Sequence, residues 1–312
     1  MMRVGLLLPD PQRFGGQRLG ADCARALGRA DVSLDPRPQR ERVFDVLPRG
    51  WPVAAVTRQA DAGDAAGATW LRADPAHVQP DINGARLLAH GQGLALDADD
   101  VAAFLPALRP LFGDFGSPID APTPSRWYLR LAPGTPVPTF STPEDALGDE
   151  LFEHLPGAAG DRESRRWRTL LSEAQIVLHN HPRNARRVAA GLPAVNSLWL
   201  WGGGALPDHV RSAAAAIHSD DDSLTAFATL AGVPAHPLPT LAPVAAGAGL
   251  FDLREARDLA RLQHDWLLPL LAQLTDGRVS ELWLDCADGQ CFKLRRGQRW
   301  RFWRRPRERL AQ

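Results

Sequence analysis

Two imidazoles and two amides stand within six residues at His179-Asn180-His181-Pro182-Arg183-Asn184, and an aspartate precedes a further imidazole by three at Asp74-Pro75-Ala76-His77. Histidine and aspartate hold divalent metals and also serve as acid–base couples, so Asp74, His77, His179 and His181 are the candidate metal or proton-transfer set. His179 and His181 converge only on extended backbone, because side chains two apart on a helix diverge by about 200°. A plain reading stands beside this one. Asp74 would cap a turn, His77 would lie at the surface, and histidine at a helix carboxyl end is favoured by about 0.3–1 kcal/mol when charged.

Asn196-Ser197-Leu198-Trp199-Leu200-Trp201-Gly202-Gly203-Gly204 is the most unusual string in the chain. Strand alternation puts Leu198 and Leu200 on one face and Trp199 and Trp201 on the other, and Gly202, Gly203 and Gly204 then admit a phosphate or another backbone at close range. A dinucleotide loop is not implied, because Pro207 stands where its third glycine belongs. The alternative is a tight strand exit beside an aromatic core. Asn184, Asn196, Trp199 and Trp201 join the three glycines as candidate ligand-binding residues. Asp220-Asp221-Asp222 reads as acids at a helix start.

The charge is even but unevenly placed. Lys plus Arg and Asp plus Glu are 36 each, the lone lysine is Lys293, and residues 293–312 carry nine bases against one acid, Glu308. The body before them is acidic. A P-loop and a kinase strand each need a lysine in a context that Lys293 lacks, pyridoxal chemistry has one unsuitable amine, and no serine sits in Gly-x-Ser-x-Gly. In the basic end, Lys293, Arg295, Arg299, Arg301 and Arg304 interleave with Phe292, Trp300, Phe302 and Trp303. Cations attract phosphates and rings stack on unpaired bases, making Arg299, Trp300, Arg301 and Arg304 the candidates for single-stranded nucleic acid. The structural alternative is a hairpin with Phe292, Leu294, Trp300 and Phe302 inward and the arginines on water or on the acidic body.

Cys23, Cys286 and Cys291 are too few for a disulfide scaffold, and the apolar run at residues 4–8 is too short for a signal core. No stretch approaches the roughly 18 apolar residues of a span, so a cytoplasmic protein without membrane contact is expected.

The elements that must position these residues alternate. Residues 4–8, 69–73, 85–89, 127–131 and 197–201 read as strands, 52–60 as a short helix or strand, and 19–27, 97–112, 164–180, 184–190, 223–231 and 255–274 as helices. Pro106 and Pro110 should kink or shorten the helix holding them. Residues 281–285, 291–295 and 299–304 read as terminal strands. The expected fold is α/β, with a mainly parallel sheet flanked by helices and a small C-terminal antiparallel hairpin. Residues 1–280 form the α/β domain, with a possible lobe connection at 113–143, and 281–312 form the hairpin and tail packed on it. Ligands in such sheets sit beyond the carboxyl ends of the strands.

The string at residues 196–204 resembles the Asn-x-x-Trp-Leu-Trp-Gly-x-Gly element of archaeal-type cofactor-independent phosphoglycerate mutases of the alkaline phosphatase superfamily. A wider resemblance over about residues 70–300 is to the RpfE-type regulatory proteins of Xanthomonas-like and related proteobacteria. It is carried by Ala73-Asp74-Pro75-Ala76-His77, Ser172-Glu173-Ala174-Gln175-Ile176-Val177-Leu178-His179-Asn180-His181-Pro182 and Val195 with the string after it. The resemblance implies a degenerate alkaline-phosphatase-like scaffold and a regulatory role. True mutases use two metal ions and a serine that is transiently phosphorylated. Here Leu8-Pro9-Asp10 stands in place of an opening Asp-Gly motif, and no Gly-Asp-His follows. The expectation is a non-catalytic protein without a cofactor, binding a small anionic ligand or a protein partner. The enzyme alternative is a divergent phosphomutase or phosphatase with a divalent metal on Asp74, His77, His179 and His181.

Overall fold

The structure, a computed structural model, describes residues 2–81, 84–114, 117–132, 134–135, 137–154, 162–242 and 248–311. The chain divides into two compact units, one of Met1–Arg49 with His209–Gln312 and one of Gly50–Asp208.

In the first unit the strand Met2–Leu8 is apolar without alternation, as a strand covered on both faces requires, and Val4, Leu6, Leu7 and Leu8 are buried. It is central in a seven-stranded sheet of order Ala235–His236, Ile217–His218, Gly249–Asp252, Met2–Leu8, Val279–Cys286, Gln290–Arg295, Asp31–Leu34. The first five strands run parallel and the last two pairings are antiparallel. Val4, Leu6, Phe251, Leu282 and Leu284 form a core with Cys23 and Leu27 of the helix Ala21–Arg29 and Leu270 and Leu274 of the helix Leu268–Asp276. The helix Asp222–Leu230 flanks the sheet beside its short outer strands. This is the expected α/β architecture with its terminal hairpin. The expected boundary at 280/281 falls inside the strand Val279–Cys286, whose neighbour Gln290–Arg295 is hydrogen-bonded to it.

The terminal region departs from expectation at its end. Residues 299–304 are not a strand: the chain leaves the sheet after Arg295 into a 3-10 turn, Arg296–Trp300, and then bends. Alternation ends with the strand, so Phe292 and Leu294 are buried while Trp300 and Phe302 are exposed.

The second unit holds an antiparallel sheet that alternation alone did not delimit. The strand Thr69–Asp81 pairs with Gly84–His90, with Arg126–Leu131 and with Ser197–Ala205, and Arg126–Leu131 pairs with Ile119–Thr123. Residues 119–131 are therefore a hairpin within this unit rather than a connection between lobes. One face carries Leu71, Ala73, Leu129, Leu198 and Leu200 against Phe104 and Leu108 of the helix Ala98–Asp114 and Trp167 and Leu170 of the helix Arg162–His179. Pro106 and Pro110 do not end their helix. Both are exposed, so the carbonyls that they leave unpaired face water while the opposite stripe stays packed. The helix Val53–Ala62 lies by the other face, where Ala54 and Ala55 meet Trp70 and Tyr128.

Candidate functional site

Asp74 lies in the strand Thr69–Asp81, on the face shared with Arg72, and is fully buried. Arg72 grips it with two hydrogen bonds, Nε to Oδ1 at 2.8 Å and Nη2 to Oδ2 at 2.7 Å. The Trp201 indole donates to Oδ2 at 2.7 Å. Register explains the meeting, because Arg72 is opposite Trp201 and Asp74 is opposite Trp199. Trp199 itself donates to the Ser141 carbonyl at 3.0 Å. His77, three residues on in the strand, points to the opposite face and pairs its Nδ1 with the Ala194 carbonyl at 2.9 Å.

The two asparagines act as backbone surrogates. Asn196 accepts from Val78 N at 2.8 Å and donates to Val78 O at 2.7 Å. Asn184 donates to Leu178 O and Val195 O and accepts from Val195 N, each at 2.8 Å. His179 is exposed at its helix end, whereas His181 packs on the Phe104 ring at 4.8 Å and accepts from Arg183 N. His181 also edges a shallow cleft of about 440 Å³ with Asp99, Arg183 and Arg186. The glycines form no loop, because the strand Ser197–Ala205 continues through them. A Cβ on Gly202 would stand 2.9 Å from Val53 Cβ, and one on Gly204 2.6 Å from Pro52 Cβ. Their bareness lets the start of the helix Val53–Ala62 lie on the strand.

Asp74, Trp199 and Trp201 are thus brought together, as are His77 and Asn196 beside Val78 and Ala194. The four proposed metal ligands do not fit a metal. Asp74 is occupied by Arg72, Trp201 and the Trp127 N–H, His77 faces the other way, and among the described residues no group of three or more His, Cys, Asp or Glu is placed to hold an ion.

The carboxyl edge of the parallel sheet in the first unit brings Asp221 and Asp10 near residues that the sequence does not single out, Asp252, Arg254, Asp285, Arg42 and Gln39. Asp252 ends its strand and receives Arg254 Nε on Oδ1 and Nη2 on Oδ2, both at 2.7 Å, with Ser219 Oγ at 2.6 Å. The same Nη2 reaches Asp221 Oδ2 at 2.7 Å. Burial pushes the Asp252 carboxyl up, but the hydrogen bonds and charge of Arg254, with the Ser219 hydroxyl, outweigh it and hold the pKa below the ordinary carboxylate value. Burial likewise opposes the Arg254 charge, and Asp252 and Asp221 raise its pKa nonetheless. Two strands away Asp285 receives Arg42 Nη2 at 2.6 Å, and Arg42 also donates to Cys286 O at 2.6 Å. Gln39 closes this corner by donating to Leu8 O and Asp285 O. Asp10, just past the central strand, caps a 3-10 turn through Gln12 N at 2.8 Å.

Asp252 and Asp285 are therefore matched by guanidinium ions, whereas Asp10 is met by a backbone N–H. A guanidinium neutralises charge and donates hydrogen bonds, but offers no exchangeable coordination position for a water or a phosphoryl oxygen. The sequence signal for this edge was Asp-x-Arg at Asp252-Leu253-Arg254 after a short apolar strand.

No family model matches the chain. Over 69 residues, 22% of its length, it is 41% identical to a probable 2,3-bisphosphoglycerate-independent phosphoglycerate mutase of Geobacter sulfurreducens. Over 65 residues, 21% of its length, it is 38% identical to the 2,3-bisphosphoglycerate-independent phosphoglycerate mutase of Methanosarcina barkeri. Each stretch spans 16% of the relative's own length. Among solved structures, a cofactor-independent phosphoglycerate mutase from Thermoplasma acidophilum aligns over 94% of this chain and 89% of its own, with 14% identity and a TM-score of 0.37. A protein of Pyrococcus horikoshii aligns over 94% and 87%, with 11% identity and a TM-score of 0.42. The relationship to phosphoglycerate mutases is one of short local segments. Among the described residues no helix is long and apolar enough to cross a membrane.

Proposed function

We propose that this chain is a non-catalytic relative of cofactor-independent phosphoglycerate mutases, with a degenerate alkaline-phosphatase-like scaffold, that acts in regulation by binding a small anionic ligand. The observation that carries the non-catalytic half of the proposal is the pairing of strand-end acids with arginines, Asp252 and Asp221 with Arg254 and Asp285 with Arg42. In-line phosphoryl transfer needs cations that stabilise both the attacking and the leaving oxygen. Here the local cations are spent on the protein's own carboxylates. Local identity to the mutases supports the lineage, and the resemblance to RpfE-type proteins supports the regulatory role.

The test is metal content together with turnover. After incubation with manganese or zinc and removal of free ion, the purified protein should hold well under one equivalent and show neither phosphoglycerate mutase nor phosphatase activity. Stoichiometric metal with turnover abolished by Asp252→Asn would overturn the proposal. The binding half is read by thermal shift. Phosphoglycerate or orthophosphate should raise the unfolding midpoint, and no shift with either removes that half.

A further inference from the structure

The basic end of the chain builds a surface that goes beyond this reading. In the first unit, between the helices Ala21–Arg29 and Leu268–Asp276 and the turn Arg296–Trp300, lies a groove of about 370 Å³. Arg25, Arg29, Arg295, Arg296 and Arg299 line it, with Asp22 as its one acid. Arg25 is ion-paired with Asp22, and Arg295 is held by Glu281 at 2.7 Å. Among the described residues the Arg296 side chain has no hydrogen bond or ion pair, and the Arg299 guanidinium has only the Trp300 ring, 4.9 Å away. The Nε of Arg29 is buried without a partner among the described residues, although its Nη1 donates to Arg299 O at 2.8 Å. The walls are apolar, supplied by Leu268, Leu271 and Leu294.

Next to this groove three large rings face solvent. Trp300 is 65%, Phe302 77% and Trp303 69% exposed, far beyond the scattered exposure of single apolar residues. They are held there by structure. Arg301 donates to Arg29 O at 3.1 Å and to Asp31 at 2.5 Å, and Arg304 donates to Ala30 O at 3.1 Å. These anchors pin the segment to the end of the helix Ala21–Arg29 and leave its rings outward. Of the four residues suggested by sequence, Arg301 and Arg304 are thus anchors, Arg299 and Trp300 are available, and Arg296 joins them.

We infer that this surface binds single-stranded nucleic acid, with the groove taking phosphate and the exposed rings stacking on unpaired bases. The surplus of arginine calls for a polyanion, because cations on phosphates release condensed counterions. Three neighbouring rings call for several π-faces in succession, which a strand supplies and a single small anion does not. A duplex keeps its base faces stacked and would leave the rings bare.

The test uses the full chain and a fluorescein-labelled twelve-nucleotide single strand, DNA and RNA in turn, read by anisotropy from 20 to 300 mM salt. Binding should weaken with salt. Arg296→Ala/Arg299→Ala should reduce the magnitude of the salt slope by about 1.4, at about 0.7 per phosphate contact on a single strand. Trp300→Ala/Trp303→Ala should weaken binding about tenfold or more at fixed salt while leaving that slope unchanged. All four side chains are exposed, so an unchanged unfolding midpoint confirms that the variants fold. Four results overturn the inference: no binding at 20 mM salt, equal binding of a duplex, indifference to the aromatic pair, or capture by anionic phosphatidylserine vesicles without capture of the oligonucleotide. None of these readouts depends on metal content or mutase turnover, so this inference and the proposed function fail separately.

Discussion

Asp74 is fully buried, and a carboxylate there is tolerated only when its charge is matched on the spot. Arg72, two positions away on the same strand face, does that, and the edge acids Asp252 and Asp285 are met the same way. The histidines follow a different course. His218 stacks on Phe251 with ring centroids 4.5 Å apart and faces His236 at 5.1 Å. Burial, then the charge of His236, lower its pKa below the ordinary 6.5. Burial does the same for His90, where Arg72 adds to the effect against Asp74 and the Nδ1 has no partner among the described residues. In both, the unfolded chain takes up protons that the folded chain resists. Stability from this source is complete above about 6.5 and is lost as pH falls through the depressed folded pKa values. The carboxyls of Asp252 and Asp100, held below 3.8, add losses only in a lower range. The unfolding midpoint should therefore fall between pH 7 and pH 5.5, and less steeply in His90→Gln and His218→Gln. Parallel curves for wild type and both variants would refute the assignment.

At the scale of elements, the strand Ser197–Ala205 does two jobs. Its first half contributes leucines to one face and tryptophans to the other, and its glycines let the helix Val53–Ala62 approach. Gly202 has φ +64°, and an added Cβ would meet Val53. Gly202→Ala should therefore destabilise the protein by about 1–3 kcal/mol, the usual range for overpacking with backbone strain added, measured by urea unfolding. A neutral result would mean that helix and strand are not in close contact there. The alternation Leu-Trp-Leu-Trp was legible in the sequence because strand faces follow from a period of two. The role of the glycines was not, because the helix that they accommodate lies some 150 residues earlier. A continuous apolar run revealed Met2–Leu8 and periodicity revealed Arg162–His179, while Gly249–Asp252, a strand of four residues at the end of an alanine- and glycine-rich run, offered no pattern to read. The arginine pairs were hidden for a similar reason. Arg42 and Asp285 are 243 residues apart, and the strand Asp31–Leu34 before Arg42 comes near Val279–Cys286 through antiparallel pairing of each with Gln290–Arg295.

At the scale of the whole chain, the balance of 36 bases and 36 acids hides an acidic body and a basic end, yet that end is no free appendage. Leu19 N donates to Glu308 O and Arg307 N to Ala24 O, both at 2.9 Å, so its backbone lies along the helix Ala21–Arg29. The Arg307 guanidinium sits 4.8 Å over the Phe292 ring, and Leu310 is 2% exposed within the core around the parallel sheet. Its contribution to folding is apolar as well as electrostatic, and the two parts are separable. Leu310→Ala should cost about 2–4 kcal/mol, the range for truncating a buried leucine with its cavity. Arg309→Ala, on an exposed side chain in the same segment, should stay within about 0.5 kcal/mol. Urea unfolding of both distinguishes a docked end from a loose basic tail. If Leu310→Ala proves as silent as Arg309→Ala, the end is not anchored, and the rings of Trp300 and Trp303 lose the rigid base from which they are presented.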